Sequence, residues 1–184
     1  FTSYDKASAH LKGGAKRVVI TGPVKDDPSQ APNAGATVLM GVNEEAMKGV
    51  AVTSNASCTT NATSPLIAIL NDTLGIEKAL LSTTHAYTAS QAIQDGPSKK
   101  DLREGRAAAE NIVPSSTGAA VAVTQAYPSL KGKFDGISLR VPVPVGSIVD
   151  VTFLASRDTT KEEVNEILTK AALDPKWSKL FGVT

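Results

Sequence analysis

The sequence predicts an α/β fold, in which a short parallel sheet over residues 1–57 is followed by an α+β unit with a mixed sheet over residues 58–184. Short aliphatic and β-branched runs alternate with polar loops in the first third of the chain, as expected for strands buried on both faces. One long segment with helical spacing follows, and further strand-like and helix-like runs succeed it. The 184 residues are enough to bury a sizeable core.

The first 57 residues predict one helix and three strands. Apolar residues recur at helical spacing over residues 3–11, and a pair of glycines ends this helix. Strands are expected at residues 17–21, 37–40 and 50–54, where short aliphatic runs are bounded by turn-forming residues. Residues 26–36 are rich in Pro, Asp, Asn and Gly and therefore predict a surface loop.

The remaining residues predict helices and strands that build a sheet covered by helices on one face. Leucines and isoleucines recur at helical spacing over residues 58–74, and Gly75 ends the helix. Further helices are expected at residues 119–126 and 161–172, and strands at residues 79–84, 136–141 and 148–154. Residues 87–110 form a long polar stretch without a clear period, which is typical of functional or disordered loops.

Charge and composition exclude several classes of function. Nineteen basic and eighteen acidic residues leave a net charge of +1, with no basic patch that would indicate nucleic acid or an acidic membrane as a partner. One cysteine excludes an internal disulfide and fits a reducing compartment. No apolar run approaches the length of a membrane span, and Phe1 does not open a signal peptide. A cytoplasmic location is therefore expected.

Cys58, the only cysteine, is expected at the start of the helix over residues 58–74. Unpaired backbone N–H groups and the helix dipole favour an anion at that position, and a thiolate is such an anion. The hydroxyls of Ser57, Thr59 and Thr60 surround the cysteine with hydrogen-bond donors. A lone cysteine is more often a small buried apolar residue, so the residues by themselves leave a reactive and a structural role open.

His85 is the natural partner for this cysteine, because it follows the strand predicted at residues 79–84. A cysteine and a histidine at the carboxyl ends of separate strands can converge at one edge of a sheet. A nucleophile and a base would then face each other. The second histidine, His10, is expected on the surface of the first helix.

Five blocks of sequence resemble the phosphorylating glyceraldehyde-3-phosphate dehydrogenase family, in its order and at its spacing. The resemblance covers nearly the whole chain, and the blocks are Ser54-Asn55-Ala56-Ser57-Cys58-Thr59-Thr60-Asn61, Thr83-Thr84-His85-Ala86-Tyr87-Thr88, Asp95-Gly96-Pro97, Asn111-Ile112-Val113-Pro114-Ser115-Ser116-Thr117-Gly118-Ala119-Ala120 and Leu139-Arg140-Val141-Pro142. Several independent motifs agree, which makes the resemblance specific.

The resemblance implies the second half of a Rossmann NAD-binding domain over residues 1–57, followed by a catalytic domain over residues 58–184. It also implies the glycolytic oxidation of D-glyceraldehyde 3-phosphate with NAD and inorganic phosphate to 1,3-bisphosphoglycerate and NADH. The expected assembly is a homotetramer, in which the loop over residues 87–110 lines the cofactor pocket and packs against a neighbouring subunit.

The resemblance also assigns roles to individual residues. Cys58 is the nucleophile that forms a thiohemiacetal and then a thioester, and His85 is the base. The anion-binding residues are Ser57, Thr59, Thr117 and Gly118 for the attacking phosphate, and Thr88 and Arg140 for the phosphate of the substrate. Thr21 is expected to contact the nicotinamide, and no metal is implied. Gly96-Pro97 favours NAD over NADP.

Two positions depart from the family, and three other functions stay open. Glu104 stands where many members have an arginine that holds phosphate, and it is expected to repel phosphate. Ser90 stands where some members have an acid. Erythrose-4-phosphate dehydrogenase shares the cysteine signature, although Asp95-Gly96-Pro97 is more similar to the glyceraldehyde enzyme. A Cys–His acyl hydrolase and a catalytically incomplete anion-binding module are the alternatives from other classes.

By the same resemblance, the chain is expected to be an internal fragment. It begins with Phe1 rather than Met, contains no G-x-G-x-x-G turn and ends at Thr184 without a closing element. The acid that binds the cofactor ribose would precede Phe1. The fragment alone is therefore expected to bind NAD poorly and to catalyse little.

Overall fold

Two separate sheets form the frame of the chain, for which a computed structural model describes residues 1–26, 35–99 and 101–184. The first is a parallel sheet of three short strands, in the order β1-β3-β2. These strands are β1 (Val18–Ile20), β2 (Ala36–Thr37) and β3 (Val52–Ser54). The strands predicted at residues 17–21 and 50–54 are confirmed with slightly shorter bounds.

The prediction of a strand over residues 37–40 was largely wrong. β2 ends at Thr37 because the side chain of Asn43 forms hydrogen bonds with the backbone of Thr37 and Leu39. Its Oδ1 accepts from the N–H of Leu39 at 2.7 Å, and its Nδ2 donates to the carbonyl of Thr37 at 3.0 Å. The loop predicted over residues 26–36 falls mainly on residues 27–34, which lie outside the described residues.

The helix predicted over residues 3–11 is divided into α1 (Tyr4–Ala7) and α2 (Ala9–Lys12). The division falls at Ser8, whose hydroxyl donates to the carbonyl of Tyr4 at 2.8 Å. Serine hydroxyls compete with the backbone in this way and weaken a continuous helix. Tyr4 and Ala7 pack with Ile20 and Val52 in the core of this first unit.

The long helix α3 (Cys58–Leu74) has the predicted bounds. Ser57 caps its N-terminus, since the Ser57 Oγ accepts from the N–H of Thr60 at 3.1 Å. Gly75 follows its last turn with φ of 71°, a left-handed conformation that glycine adopts without strain. The sequence signals at both ends of this helix are therefore the groups that begin and end it.

The second sheet has four strands in the order β5-β6-β4-β7 and is mixed, as expected. These strands are β4 (Ile76–Ala86), β5 (Val113–Ser116), β6 (Phe134–Val141) and β7 (Ser147–Ala155). β4 runs parallel to β6 and antiparallel to β7, and β5 runs antiparallel to β6. β5 was not predicted, because four residues that include a proline carry little strand signal.

Three helices cover one face of this sheet and form the main core with it. They are α3, α4 (Ala119–Ala126) and α5 (Lys161–Leu173), which confirms the predicted helices at residues 119–126 and 161–172. The opposite face carries exposed apolar side chains on three strands: Leu80, Ile137, Ile148 and Leu154. Helices are therefore segregated to one side of the sheet, as in α+β domains.

In the segment over residues 87–110, as far as it is described, the first and second halves are joined by backbone hydrogen bonds. It contains a short 3-10 helix, Leu102–Gly105. The N–H of Ala92 donates to the carbonyl of Glu104 at 2.8 Å, and the N–H of Gly96 donates to the carbonyl of Gly105 at 2.8 Å. A side chain at position 105 would collide with the carbonyl of Gly96, so glycine is required where the two arms approach.

Candidate active site

A cavity of about 450 Å³ lies where strand ends and helix starts meet. The parallel strands β4 and β6 end here, one residue after His85 and Arg140, which are partners in the register of the two strands. The N-termini of α3 and α4 face the same space. The lining residues are Pro23, Ser57, Cys58, Thr59, Thr60, Thr83, His85, Thr88, Ser116, Thr117, Gly118, Ala119, Ala122, Ser138 and Arg140.

Cys58 is the first residue of α3, and its side chain is exposed in this cavity. Its Sγ lies 3.3 Å from Nε2 of His85. Ser57 Oγ is also 2.7 Å from the hydroxyl of Thr60, so the cap is fixed by two contacts. The predicted convergence of the cysteine, the histidine and the helix start is present.

The turn before Cys58 is held by a buried serine. Ser54, at the end of β3, has no exposed surface, and its hydroxyl donates to the carbonyl of Gly22 at 2.7 Å. The same oxygen accepts from the N–H of Ala56 at 3.0 Å. Ala56 has φ of 58°, which is uncommon for a residue with a Cβ and costs about 1–3 kcal/mol. Surrounding contacts thus maintain a strained backbone two residues before the cysteine.

The other ring nitrogen of His85 has two competing partners. Nδ1 lies 2.7 Å from the carbonyl oxygen of Ala86 and 2.7 Å from Nη1 of Arg140. A protonated Nδ1 donates to Ala86 and leaves the lone pair of Nε2 facing Cys58. An unprotonated Nδ1 accepts from Arg140 and places the ring proton on Nε2. The tautomer that can act as a base toward Cys58 is therefore the one supported by the Ala86 carbonyl.

Arg140 is half-buried and lines the cavity beside His85. Burial lowers the pKa of its guanidinium, while negative charge at Cys58 and at Glu104 raises it. Its Nε is buried and makes no hydrogen bond within the described ranges. The guanidinium lines the cavity, where a cation with several N–H donors can bind an anionic oxygen.

The residues predicted to bind anions all line the cavity. Thr88 follows β4 on an exposed turn. Thr117 and Gly118 precede α4, whose N-terminal residue Ala119 donates its N–H to Thr117 Oγ1 at 3.2 Å. Gly118 is the N-cap and supplies no side-chain bond, so its approach to the cavity is open.

Thr83 and Ser138 were missed by the sequence reasoning. They are register partners on β4 and β6, two residues before His85 and Arg140, and their side chains therefore share a face with those residues. Each is 1% exposed, and neither hydroxyl has a partner among the residues that the structure describes. The sequence signal that could have identified them is their position two residues before His85 and Arg140, because alternate residues of a strand share a face.

Thr21 lies outside the lining of this cavity, although Pro23, two residues later, belongs to it. Thr21 contributes instead to a separate cavity of about 330 Å³ with residues of α1, α2 and β1. In residues 1–26, 35–99 and 101–184, no cluster of three or more His, Cys, Asp or Glu side chains could hold a metal ion. No helix in the same ranges is long and apolar enough to cross a membrane.

Comparison with known proteins gives one consistent family. Residues 57–183 match the family described as "Glyceraldehyde 3-phosphate dehydrogenase, C-terminal domain". The chain is 49% identical, over 100% of its own length and 52% of the relative, to "Glyceraldehyde-3-phosphate dehydrogenase 1" of Schizosaccharomyces pombe. It is 49% identical to "Glyceraldehyde-3-phosphate dehydrogenase" of Sclerotinia sclerotiorum, over 95% of the chain and 50% of the relative. The chain thus spans about half the length of the curated relatives it matches.

Proposed function

The chain belongs to the glyceraldehyde-3-phosphate dehydrogenase family, and from that premise we propose that it carries the reacting residues of a phosphorylating, NAD-dependent aldehyde oxidoreductase of glycolysis. The substrates would be D-glyceraldehyde 3-phosphate, NAD and inorganic phosphate, and the products 1,3-bisphosphoglycerate and NADH. The observation that carries the proposal is the 3.3 Å contact between Cys58 Sγ and His85 Nε2 at the start of α3.

Cys58 would act as the nucleophile. An aldehyde has no leaving group that departs as an anion, so its oxidation needs a tetrahedral adduct first. The Cys58 thiolate forms a C–S bond to the carbonyl carbon and gives a thiohemiacetal. After loss of the hydride, a thioester remains on Cys58. An oxygen of inorganic phosphate then attacks that carbonyl carbon, the C–S bond breaks, and the thiolate leaves.

His85 would accept and donate the protons in these reaction steps. With Nδ1 donating to the Ala86 carbonyl, the lone pair of Nε2 can accept the proton of the thiol. The imidazolium returns this proton to the alkoxide that forms when the thiolate attacks, which gives the hydroxyl of the thiohemiacetal, and Nε2 accepts it again as the hydride leaves. The resulting imidazolium lies against the sulfur and the oxygen on the reacting carbon. It therefore stabilises the negative charge that develops on either.

Two groups of residues in the cavity lining would hold the two phosphates. We assign Ser57, Thr59, Thr117 and Gly118 to the attacking phosphate and Thr88 and Arg140 to the phosphate of the substrate. Support comes from their shared position in the cavity lining and from the N-termini of α3 and α4 that face it. The guanidinium of Arg140, which lines the cavity, supports the second assignment.

The residues at the carboxyl edge of the parallel sheet suit a dinucleotide. In open α/β sheets ligands bind outside the carboxyl ends of the strands. Thr21 directly follows β1, and Pro23 joins that edge to the lining of the cysteine cavity. Bound there, NAD would supply the acceptor for the hydride. We assign Thr21 to the nicotinamide side, and Gly96-Pro97 supports NAD over NADP.

Domain boundaries, assembly and location complete the proposal. We propose a dinucleotide-binding domain over residues 1–57 and a catalytic domain over residues 58–184, which is supported by the separate sheets in these ranges. We also propose a homotetramer located in the cytoplasm. The exposed apolar side chains on the open face of the second sheet, Leu80, Ile137, Ile148 and Leu154, support self-association.

The test is the absorbance of reduced nicotinamide in the intact protein. Glyceraldehyde 3-phosphate, NAD and inorganic phosphate together should generate NADH, and Cys58→Ala should remove that activity while NAD binding persists. Faster turnover with erythrose 4-phosphate would point to the sister enzyme. Ester hydrolysis without NADH formation would instead indicate an acyl hydrolase. Full turnover by Cys58→Ala would contradict the covalent route.

A further inference from the structure

Gln91, which is buried, and Glu104, which is half-buried, form a connection next to Thr88 that the assignments above leave without a role. Gln91 is 4% exposed, and its amide carbonyl accepts from Thr88 twice, from the N–H at 2.9 Å and from Oγ1 at 3.1 Å. Its amide nitrogen donates to Ser90 Oγ at 2.8 Å and to Glu104 Oε1 at 3.4 Å. Every polar atom of this buried side chain therefore has a partner.

The orientation of the Gln91 amide decides whether Thr88 faces its carbonyl oxygen or its NH2 group. With the amide reversed, its NH2 group would face the N–H of Thr88, and its carbonyl would face the carboxylate of Glu104. The first contact would oppose two donors and the second two acceptors. An ionised carboxylate only accepts, so Glu104 can face the nitrogen end of Gln91 but never the oxygen end. Glu104 thus helps to select the orientation that serves Thr88.

Glu104 is itself held in place from two sides. The hydroxyl of Ser115, on β5 and 6% exposed, donates to Glu104 Oε1 at 2.9 Å. The backbone carbonyl of Glu104 accepts from Ala92 at 2.8 Å, which ties the 3-10 helix to the segment that carries Gln91. Glu104 does not line the cavity. The expectation from the sequence, that it faces phosphate and repels it, considers only its charge and not these partners.

We propose that Gln91 and Glu104 are positioning residues, which fix Thr88 at the wall of the cavity and thereby set its affinity for the phosphate of the substrate. This inference rests on the proposed function, in which Thr88 contacts that phosphate. The two bonds from Thr88 to Gln91 hold both the backbone and the side chain of the threonine against Gln91. When the hydroxyl proton of Thr88 turns from Gln91 to an anion beside Arg140, the bond from the Thr88 N–H to Gln91 Oε1 still holds the residue in place.

A double-mutant cycle across the Gln91–Glu104 contact provides the test. Gln91→Glu keeps an acceptor for Thr88 but places two carboxylates in contact. It should raise KM for glyceraldehyde 3-phosphate about tenfold, with little change in kcat. Adding Glu104→Gln restores one carboxylate facing one amide, and it should return KM to within about threefold of the parent value. Gln94→Glu, an exposed glutamine on the same segment, is the matched control and should change KM little.

A second comparison separates positioning from simple stability. KM for unphosphorylated glyceraldehyde should not change in Gln91→Glu, because only the phosphate contact is affected. Equal rises for both aldehydes, or no recovery in the double variant, would overturn the proposal.

A third arm does not depend on dehydrogenase activity. Calorimetric titration with inorganic phosphate should show weaker binding by Gln91→Glu than by the parent and recovery in the double variant. Equal phosphate affinity in all three proteins would overturn the positioning role even if the parent reduces NAD. An absence of NADH formation by a parent that still shows this phosphate pattern would contradict the proposed function alone.

Discussion

Cys58 Sγ lies 3.3 Å from His85 Nε2 although 27 positions separate the two residues in the sequence. α3 starts with Cys58, and β4, which follows α3 in the chain, ends beside His85. Because β4 follows α3 directly and α3 packs on the sheet, the helix and the strand run in opposite directions. The start of α3 therefore lies next to the end of β4. A nucleophile with a base, both next to a helix N-terminus, follows from that connection.

His85→Asn should slow the dehydrogenase by about 10²–10⁴-fold, because asparagine cannot accept the proton from the thiol or the thiohemiacetal. Alkylation of Cys58 by iodoacetamide should also be slower than in the parent, since asparagine cannot take the proton of the thiol that lies 3.3 Å from Nε2. His10→Asn is the matched control, because His10 is the second of the two histidines and lies on α2. An alkylation rate unchanged in His85→Asn would contradict the pairing.

Arg140→Met should raise KM for glyceraldehyde 3-phosphate by roughly 10–100-fold, because a charge-assisted hydrogen bond contributes about 1.5–3 kcal/mol. The unphosphorylated aldehyde should be affected less. Arg106→Met, which removes an exposed arginine paired with Asp95, should leave both values near those of the parent. Steady-state kinetics with both aldehydes measure the difference, and equal losses for the two would mean that Arg140 does not bind the phosphate.

Ser57→Ala should lower the free energy of unfolding by about 1 kcal/mol, because α3 loses the hydroxyl that caps the N–H of Thr60. Thr160→Ala removes a similar cap from α5, where Thr160 Oγ1 accepts from the N–H of Glu163 at 3.2 Å. Both variants should show comparable losses in urea denaturation. Only Ser57→Ala should also weaken the dependence of turnover on inorganic phosphate. The same kinetic effect in Thr160→Ala would trace it to stability rather than to the site.

Glu163→Gln should change the pH dependence of stability. Hydrogen bonds from Arg157 and Thr159 lower the pKa of Glu163 from 4.5 to about 2. A lowered pKa in the folded state stabilises the protein above the unfolded value, and this stabilisation is lost as the pH falls from about 4.5 towards 2. The difference in Tm between parent and Glu163→Gln should therefore shrink over that range, and salt should reduce it. A constant difference would contradict the contribution of this ion pair.

The sequence was most informative where a local signal coincides with the structural cause. The spacing of apolar residues, the Ser57 cap and Gly75 all act within one helix, so α3 has its predicted bounds. The convergence of Cys58 and His85 followed from the strand ends. Alternation along each strand places Thr83 on the face of His85 and Ser138 on the face of Arg140, but that Thr83 and Ser138 lie side by side depends on the register between β4 and β6.

Glu104 shows that the charge of a residue does not by itself predict its effect on a binding site. Its carboxylate predicts repulsion of phosphate, but its effect depends on which groups it meets. Ser115 and Gln91 come from β5 and from the turn after β4, and no local pattern links either of them to residue 104. The same limit applies to Asn43, whose side chain ends β2 six residues earlier.

The most direct test of the central claim, that Cys58 carries the acyl group, is mass spectrometry of the intact protein mixed with glyceraldehyde 3-phosphate and NAD without inorganic phosphate. One acyl group per chain should accumulate on the peptide that contains Cys58, together with one equivalent of NADH, and added phosphate should remove it. NADH formation with no adduct on Cys58, or an adduct on another residue that phosphate discharges, would contradict the account.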